Sequence, residues 1–595
     1  MDDMEKAYLR SLIPDNLPPG RKVLQEGIEI GRKVVTGKSR FQREQGYASD
    51  VDFRQEMKKK GEMVWGIIMG LASVDDQVNG MDYLYQFAQR TGVDIDVHFI
   101  IANMLTGLPR ELRNKAPKGT SFILDKPLDW QRIAEAAPVS IDFGDFHLGS
   151  PNALENTIRA VENGSSYSGV FAQLAWDFPL YDNDIKFVSD NLKALGVLAA
   201  KRDEKFVAGT YYDDGIPGYF LDYASYLGYA LFEHYIICEL CGARYAASYG
   251  QMMNKPAQKI AFTMACCRLL EKPDQPGVDY VYTNAIDHWD HDIEANYGVS
   301  LPEYLMMIAA NKKYHLGMRI QLIPITEKIA VPTPTAIANM AAAARRLEEN
   351  SDQWIDMLDF GTCEKMCDLL IEKGTIFFRN ILSGLQDAGL DIEDPMQMMM
   401  VIRRINAIKM EKMFHPSRQE NPNGEFSAYV PTTMGQQCLE EKERIVQNMI
   451  GLGFGGKLAD KRVVLASADA HYYGAFVVDE VLTALGAEVL NGGVDFDGAD
   501  VLDLAEEENP DFVCVSVHNG QALDYSKQLL ELSSKRNKKW PIFMGGKLNG
   551  ILPGESLPQD MSGFINEMGI IACNSLPEMV ERMLKIERTD RNDTR

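Results

Sequence analysis

The chain has 595 residues, 46% of them hydrophobic and 25% charged. That balance excludes a wholly disordered or collagen-like chain, and the length exceeds what one ordinary core serves. Asp and Glu number 85 against 61 Lys and Arg, a net charge of −24. A surface so acidic repels phosphate backbones and no basic patch interrupts it, so no nucleic-acid partner is expected. No run reaches about 18 apolar residues, and the start MDDMEKAYLR lacks an apolar signal core. A cytoplasmic protein that does not enter a membrane is therefore expected.

Nine cysteines without framework spacing fit a reducing compartment. The close pair Cys238 and Cys241 falls in the helical-looking run GYALFEHYIICELCGARYAA. With no second pair to complete a tetrahedral site, it reads as two core thiols.

In chain order, residues 1–60 read as a polar, helical N-terminal extension. Between residues 61 and 417, the runs MVWGIIMG, VDIDVHFI, VSIDFGDF, KFVAGTYY, GVDYVYTN and MRIQLIPI read as buried strands. Helical stretches such as IPGYFLDYASYLGYALFEHYII separate several of them. Repeated β-then-α order predicts a closed parallel (β/α) barrel of the TIM type. Residues 418–460 read as a linker with a helix, because HPSRQENPNGEFSAYVPTTMGQQ is rich in Pro, Asn, Gly and Gln. Gly451, Gly453 and Gly456 spell G-x-G-x-x-G but follow a helix and lead into a strand. A dinucleotide fingerprint has the reverse order, so these glycines read as a hinge.

Residues 461–595 alternate five apolar strands (KRVVLASA, GAEVLNGG, PDFVCVSV, WPIFMGG, MGIIACN) with helices. This predicts a doubly wound, flavodoxin-like sheet whose ligand sits at the carboxyl ends of the strands. Asp469, His471 and Gly474 follow the first strand as D-x-H-x-x-G. A carboxylate two residues before an imidazole can accept its second N–H, fixing the tautomer and strengthening the free nitrogen as a metal ligand. Gly492 and Gly493, Ser516, and Gly545 and Gly546 close the next three strands and open a slot beside that histidine.

This segment resembles the cobalamin-binding domain of adenosylcobalamin-dependent mutases. The resemblance implies that His471 is the lower cobalt ligand and metal site, with Asp469 behind it. It also implies that Gly474, Ser516, Gly545 and Gly546 hold the displaced nucleotide tail. His518 stands where the family's S-x-L motif has Leu. The barrel resembles the catalytic chain of glutamate mutase through ENGSSY at Glu162–Tyr167, Asp287-His288-Trp289, Val331-Pro-Thr333 and Phe414-His-Pro-Ser417. Fusion with the cobalamin domain resembles the single-chain 2-methyleneglutarate mutase.

The resemblance implies that Glu162 and Tyr167 face the substrate and that His288 and Trp289 sit over the cobalamin ring. Phe146, before His147, stands where glutamate mutase has a carboxylate-binding arginine; Arg110 and Arg113 are candidate substitutes. Asp213, Asp214, Asp290 and Asp292 make the strand-end loops acidic. The expected function is an adenosylcobalamin-dependent radical carbon-skeleton mutase acting on a small acid, with 2-methyleneglutarate to 3-methylitaconate first. A glutamate/3-methylaspartate-type mutase, a corrinoid methyltransferase and a non-catalytic cobalamin sensor are the rivals. A homo-oligomer is compatible with the sequence, which does not fix it.

Overall fold

Strand runs such as VWGIIM and VAGTYY carry almost no charge because both of their faces are covered, as parallel strands under helices require. In the computed structural model the eight strands are Val64–Met69 (β1), Val97–Ile100 (β2), Ser140–Phe143 (β3), Tyr167–Ser168 (β4), Val207–Tyr212 (β5), Arg244–Tyr249 (β6), Val278–Tyr282 (β7) and Arg319–Leu322 (β8). They pair in parallel in chain order, and β8 closes on β1. The structure describes residues 1–586 except 117–120, 214–215, 274, 283–288, 290–291, 329–330, 422–425, 469–471, 494–495, 519–520, 537 and 551–558.

Two strands escape the sequence reading. β4 is two residues long, too short to show alternation. β6 lies inside the run taken as one helix. The helix Tyr223–His234 instead passes into a π-turn at Tyr235–Leu240, and the chain turns at Gly242 with φ 76° before β6 begins. Cys238 and Cys241 are buried in this stretch, and burial pushes Cys238 up to about 12. They are core thiols.

The amino end of the barrel is plugged by charge. Arg319 at the start of β8 is fully buried and donates to Asp142 of β3 at 2.5 Å and Asp279 of β7 at 3.1 Å. Arg54, from the N-terminal helix Asp50–Lys60, joins Asp279 and donates to the carbonyls of Val278 and Asp279 at 2.7 and 2.6 Å. An extra residue in β7 between its two pairings with β6 accompanies this arrangement (Ala247 opposite Val278, Tyr249 opposite Val281). Helices Asp3–Ser11, Gly20–Lys33, Arg40–Gln45 and Asp50–Lys60 make up the N-terminal extension.

The chain divides into two compact units: Met1–Ala175 with Tyr181–Thr433, and Met434–Arg595 with Trp176–Leu180. The second contains the helix Thr433–Gly451 in all but its first residue, and the strands Arg462–Ser467 (β9), Glu488–Gly493 (β10), Phe512–Val517 (β11), Ile542–Gly546 (β12) and Ile571–Ala572 (β15). The pair Asn549–Gly550 (β13) and Gln559–Asp560 (β14) stands apart. The five-stranded sheet is parallel in the order β10-β9-β11-β12-β15, the flavodoxin-like order with its switch point between β9 and β11. Its core includes Ala466, Val513, Val515, Val517, Leu529 and Met544. No helix among the described residues is long and apolar enough to cross a membrane.

Candidate cobalamin site and barrel mouth

In the second unit β9, β11 and β12 end side by side. Ser467 pairs with Ser516, Ser516 with Gly545, and Val517 with Gly546. Asp469 and His471 follow β9 and lie outside the described residues. Ser516 is 5% exposed, and its buried Oγ has no hydrogen-bond partner among the described residues. A buried hydroxyl left unpaired costs about 1–3 kcal/mol, so a ligand that supplies its partner is favoured there.

The glycines define the space around that hydroxyl. A Cβ on Gly474 would stand 2.9 Å from Ser516 Oγ, and one on Gly546 would stand 2.4 Å from the carbonyl oxygen of Val517. Gly546 also has φ 103°, which a side chain resists. Gly545 differs: among the described residues a Cβ there would meet nothing nearer than the Cys573 carbonyl at 3.7 Å, so they do not require glycine. The ring of His518 fills the place of the family's leucine, with Cε1 3.1 Å from a Cβ built on Gly546 and 3.6 Å from one built on Gly474. An orphaned acceptor and donor beside an open glycine edge fits the nucleotide tail of a cobalamin. Ser516, Gly474, Gly545 and Gly546 are the described residues that would hold it.

The first unit has its own candidate site at the carboxyl ends of β3, β5, β7 and β8. Tyr211, Tyr280 and Tyr282 are buried and cluster, with ring centroids 5.3 Å apart for Tyr280 and Tyr282 and 5.7 Å for Tyr211 and Tyr282. Asp145, two residues past β3, accepts from Gln173 Nε2 at 3.4 Å, and burial pushes its carboxyl up to about 7. Glu327, past β8, has one buried carboxylate oxygen without a partner among the described residues, and burial pushes it likewise to about 7. Phe146, next to Asp145, adopts φ 68°, a left-handed conformation that is strained for a side chain. The sequence signal for this site is the alternation Tyr280-Val281-Tyr282, a period-2 pattern with one aromatic face.

Of the barrel residues expected to serve the substrate, the structure brings only one to the lumen. Tyr167 is 3% exposed, packs edge-on to Phe99 at 5.8 Å and lies over Gly209, where a Cβ would overlap its ring. Its hydroxyl is buried, and burial raises its pKa well above the usual phenol value. Glu162 is corrected. It ends the helix Ala153–Glu162 at the amino side of β4, exposed and paired with Arg159 at 2.6 Å. A helix that leads into a strand delivers its last residues to that strand's amino end, so Glu162 cannot face the carboxyl-end mouth.

Trp289 follows β7, where its indole is 2% exposed and donates to Ser300 Oγ at 2.9 Å. His288, Asp287, Asp290 and Asp214 lie outside the described residues. The substitute arginines are occupied. Arg113 donates to the carbonyls of Leu108, Leu124 and Thr106 at 2.9–3.0 Å, and Arg110 pairs with Glu155 at 2.7 Å. His147 is fully buried; its Nε2 accepts from Trp130 Nε1 at 3.0 Å, and burial pushes it down to about 4. It is a neutral core histidine. No group of three or more metal-ligating side chains occurs among the described residues.

A family model described as a B12 binding domain matches residues 461–566. Among curated proteins none matches the chain. Of solved structures, a novel cobalamin-binding protein from Desulfitobacterium hafniense DCB-2 aligns at 18% identity over 39% of this chain and 93% of that one, with a TM-score of 0.19. The methanol:cobalamin methyltransferase complex MtaBC from Methanosarcina barkeri aligns at 15% identity over 43% of this chain and 75% of that one, with a TM-score of 0.18. Overlaps that low say nothing about activity. The doubly wound sheet, the strand-end slot with its orphaned serine and the family match agree: the chain carries a B12-binding domain at residues 461–566, after a closed parallel barrel in the sequence.

Proposed function

We propose that this protein is an adenosylcobalamin-dependent radical carbon-skeleton mutase. The observation that carries the reading is the company the B12-binding domain keeps. A closed eight-stranded barrel precedes it in one chain, and among the described residues the second unit holds a single helix before β9, Thr433–Gly451, the helices between residues 361 and 420 belonging to the barrel unit. A corrinoid methyl carrier usually has a helical bundle in that place, and a sensor has no need of a barrel lumen lined with tyrosines.

When bound, adenosylcobalamin supplies a carbon radical by homolysis of its cobalt–carbon bond. The work of this chain is to bind, orient and shield. His471 would hold the cobalt, with Asp469 fixing its tautomer. Ser516 and the glycines Gly474, Gly545 and Gly546 would hold the tail. Tyr167 and the Tyr211, Tyr280 and Tyr282 cluster offer a nearly water-free surface to a substrate, and excluding water protects a radical from side reactions. No side chain acts as a nucleophile.

The substrate is a small acid. Single-chain organisation puts 2-methyleneglutarate first, whereas Asp145 and Glu327 are acceptors suited to an ammonium, as in glutamate. The test is anaerobic mixing of the adenosylcobalamin-loaded protein with each acid under electron paramagnetic resonance. A cobalt-coupled radical on addition of substrate is expected. Turnover that cycles methylcobalamin with no radical signal would establish the methyltransferase instead.

A further inference from the structure

The loop that follows β3 is clamped by side chains of its neighbours. Asn156 Nδ2 and Ser150 Oγ both donate to the carbonyl of Phe146 at 2.8 Å, and Thr157 Oγ1 donates to the carbonyl of His147 at 2.8 Å. The backbone N–H of Phe146 donates to Gln173 Oε1 at 3.1 Å, while Gln173 Nε2 reaches Asp145 Oδ1 at 3.4 Å. These bonds hold Phe146 at its positive φ and fix the direction of Asp145. Gly144 and Phe146 are buried, but Asp145 keeps accessible surface. Among the described residues Gln173 is the one hydrogen-bond partner of its carboxylate.

Asp145 shares the lumen with the tyrosines. Burial raises the phenols of Tyr280 and Tyr282, and the charge of Asp145 adds to both; that of Glu327 adds to Tyr282. No described cation balances the two carboxyls. Burial raises each to about 7, opposed at Asp145 by the Gln173 N–H alone and at Glu327 by no described group. Arg319 on the floor is already paired with Asp142 and Asp279, and Lys328 donates to the carbonyl of Trp289 at 2.7 Å. Gln321, on the lumen face two residues beyond Arg319, lies over Gly66 of β1 and is fully buried. Neither end of its amide is paired among the described residues. The lumen is therefore short of polar partners, and its accessible charge is negative.

We propose that Asp145 selects the substrate by charge: the end that enters the lumen is a primary ammonium, accepted by the Asp145 carboxylate beside Tyr280 and Tyr282, and a carboxylate on that end is rejected. A carboxylate there would meet the charge of Asp145 and find no counter-ion, and a buried unpaired charge is very costly. An ammonium brings the positive charge and the N–H donors that Asp145 lacks, and electron-rich rings favour the same sign. Calling this ligand the substrate rests on the mutase reading. Within that reading it favours an amine-bearing acid over the diacid that single-chain organisation puts first.

The test uses the full-length protein without added cofactor, so its result does not depend on whether adenosylcobalamin yields a radical. Butylamine, butanol and butyrate, equal in length and different in charge, are the probes. Binding is read by ligand-observed NMR at fixed ionic strength and about pH 8, above both carboxyl values. Butylamine is expected to bind more tightly than butanol, and butyrate most weakly. Asp145→Asn keeps the size of the side chain and an acceptor for Gln173. It should lower butylamine affinity on the order of tenfold, the equivalent of about 1.4 kcal/mol, and leave butanol affinity unchanged. The diffuse attraction of a chain of net charge −24 for amines is nearly the same in both proteins and cannot produce that difference. Asp145→Glu retains the charge and should keep part of the amine preference, which separates charge from packing. Equal butylamine affinity in wild type and Asp145→Asn overturns the proposal, as does a wild type that binds no butylamine or binds butyrate as tightly. The mutase reading fails separately, by the absence of a substrate-induced radical.

Discussion

His415 Nε2 lies 3.0 Å from Asp222 Oδ2, across 193 residues of sequence, while His415 Nδ1 lies 2.7 Å from Ser417 Oγ. The atoms follow the order of a hydrolase triad, but Ser417 is 2% exposed and its Oγ accepts the backbone N–H of Ser427 at 3.0 Å. The group is a latch. Asp222 also accepts the backbone N–H groups of Tyr429, Val430 and Ala224 at 2.6, 3.1 and 2.9 Å, tying the segment before Pro431 to the start of the helix Tyr223–His234. The FHPS motif is therefore explained by architecture.

Asp222→Ala takes the acceptor from the buried N–H groups of Val430 and Ala224, from the half-buried N–H of Tyr429 and from the His415 imidazole, and each buried donor so stranded costs about 1–3 kcal/mol. The urea midpoint of the barrel unit should fall markedly, while cobalamin binding by the other unit stays. An unchanged midpoint would refute the latch.

Glu233 gives a pH-dependent counterpart. Tyr212 Oη donates to it at 2.5 Å in a fully buried site, and burial pushes its carboxyl up to about 8. The folded state therefore keeps a proton that the unfolded state releases. Its contribution to stability is whole below the ordinary glutamate pKa of about 4.3 and is lost as pH rises through about 8. Glu233→Gln keeps an acceptor for Tyr212 and removes the titration. The difference in unfolding free energy between wild type and variant should change with pH across this window, by at most about 1.4 kcal/mol per unit. Buried His98 and His147 have the opposite sign, losing stability as pH falls, and cancel in that difference because both proteins retain them. A pH-independent difference would show that Glu233 does not hold the proton.

What the sequence made legible follows physical range. β1, β5, β7, β9, β11 and β12 could be read because each is largely a run of buried residues bounded by turn chemistry, and period and burial are local properties; β10, an edge strand only partly buried, was read from its apolar run before Gly492 and Gly493. β4 is two residues of Tyr and Ser, and β6 sits directly behind a helix and a π-turn with no polar break. The strand-end slot was legible as Ser516, Gly545 and Gly546 because the ends of parallel strands converge by topology. Asp145, by contrast, reads as a solvated loop carboxylate. Only the closing of the barrel around it brings Gln173 and the tyrosines near. Glu162 shows the converse failure: a motif matched by order, with its place on the wrong side of the strand visible only once β4 is located.

Arg319 tests whether the charged plug holds the barrel closed. Arg319→Met strands Asp142 in a dry interior, while Asp279 keeps Arg54 as its partner, and breaking a buried pair in this way costs about 3–5 kcal/mol. Adding Asp142→Asn removes the uncompensated charge and should recover much of the loss in a denaturant titration. If instead the two changes add their costs, the network stabilises through geometry and not through charge balance.

The cobalamin site yields the most discriminating comparison, between two adjacent glycines. Gly546→Ala places a Cβ 2.4 Å from the carbonyl oxygen of Val517 at a positive φ, so it should destabilise the domain whether or not cofactor is present. Gly545→Ala meets no atom of the described residues closer than 3.7 Å and should leave the apo-domain melting temperature unchanged. If cobalamin's tail occupies that edge, the same methyl collides with it, and the dissociation constant should rise at least tenfold. Ser516→Ala should weaken binding by a similar factor, since the loss of one hydrogen bond to the ligand is worth about 1 kcal/mol or more. His471→Gln should bind cobalamin and lose the imidazole nitrogen splitting from the cobalt(II) spectrum. Equal cobalamin affinity in wild type and Gly545→Ala, with both folds intact, would mean that the tail does not enter the slot between β11 and β12, and the assignment of Ser516 would fall with it.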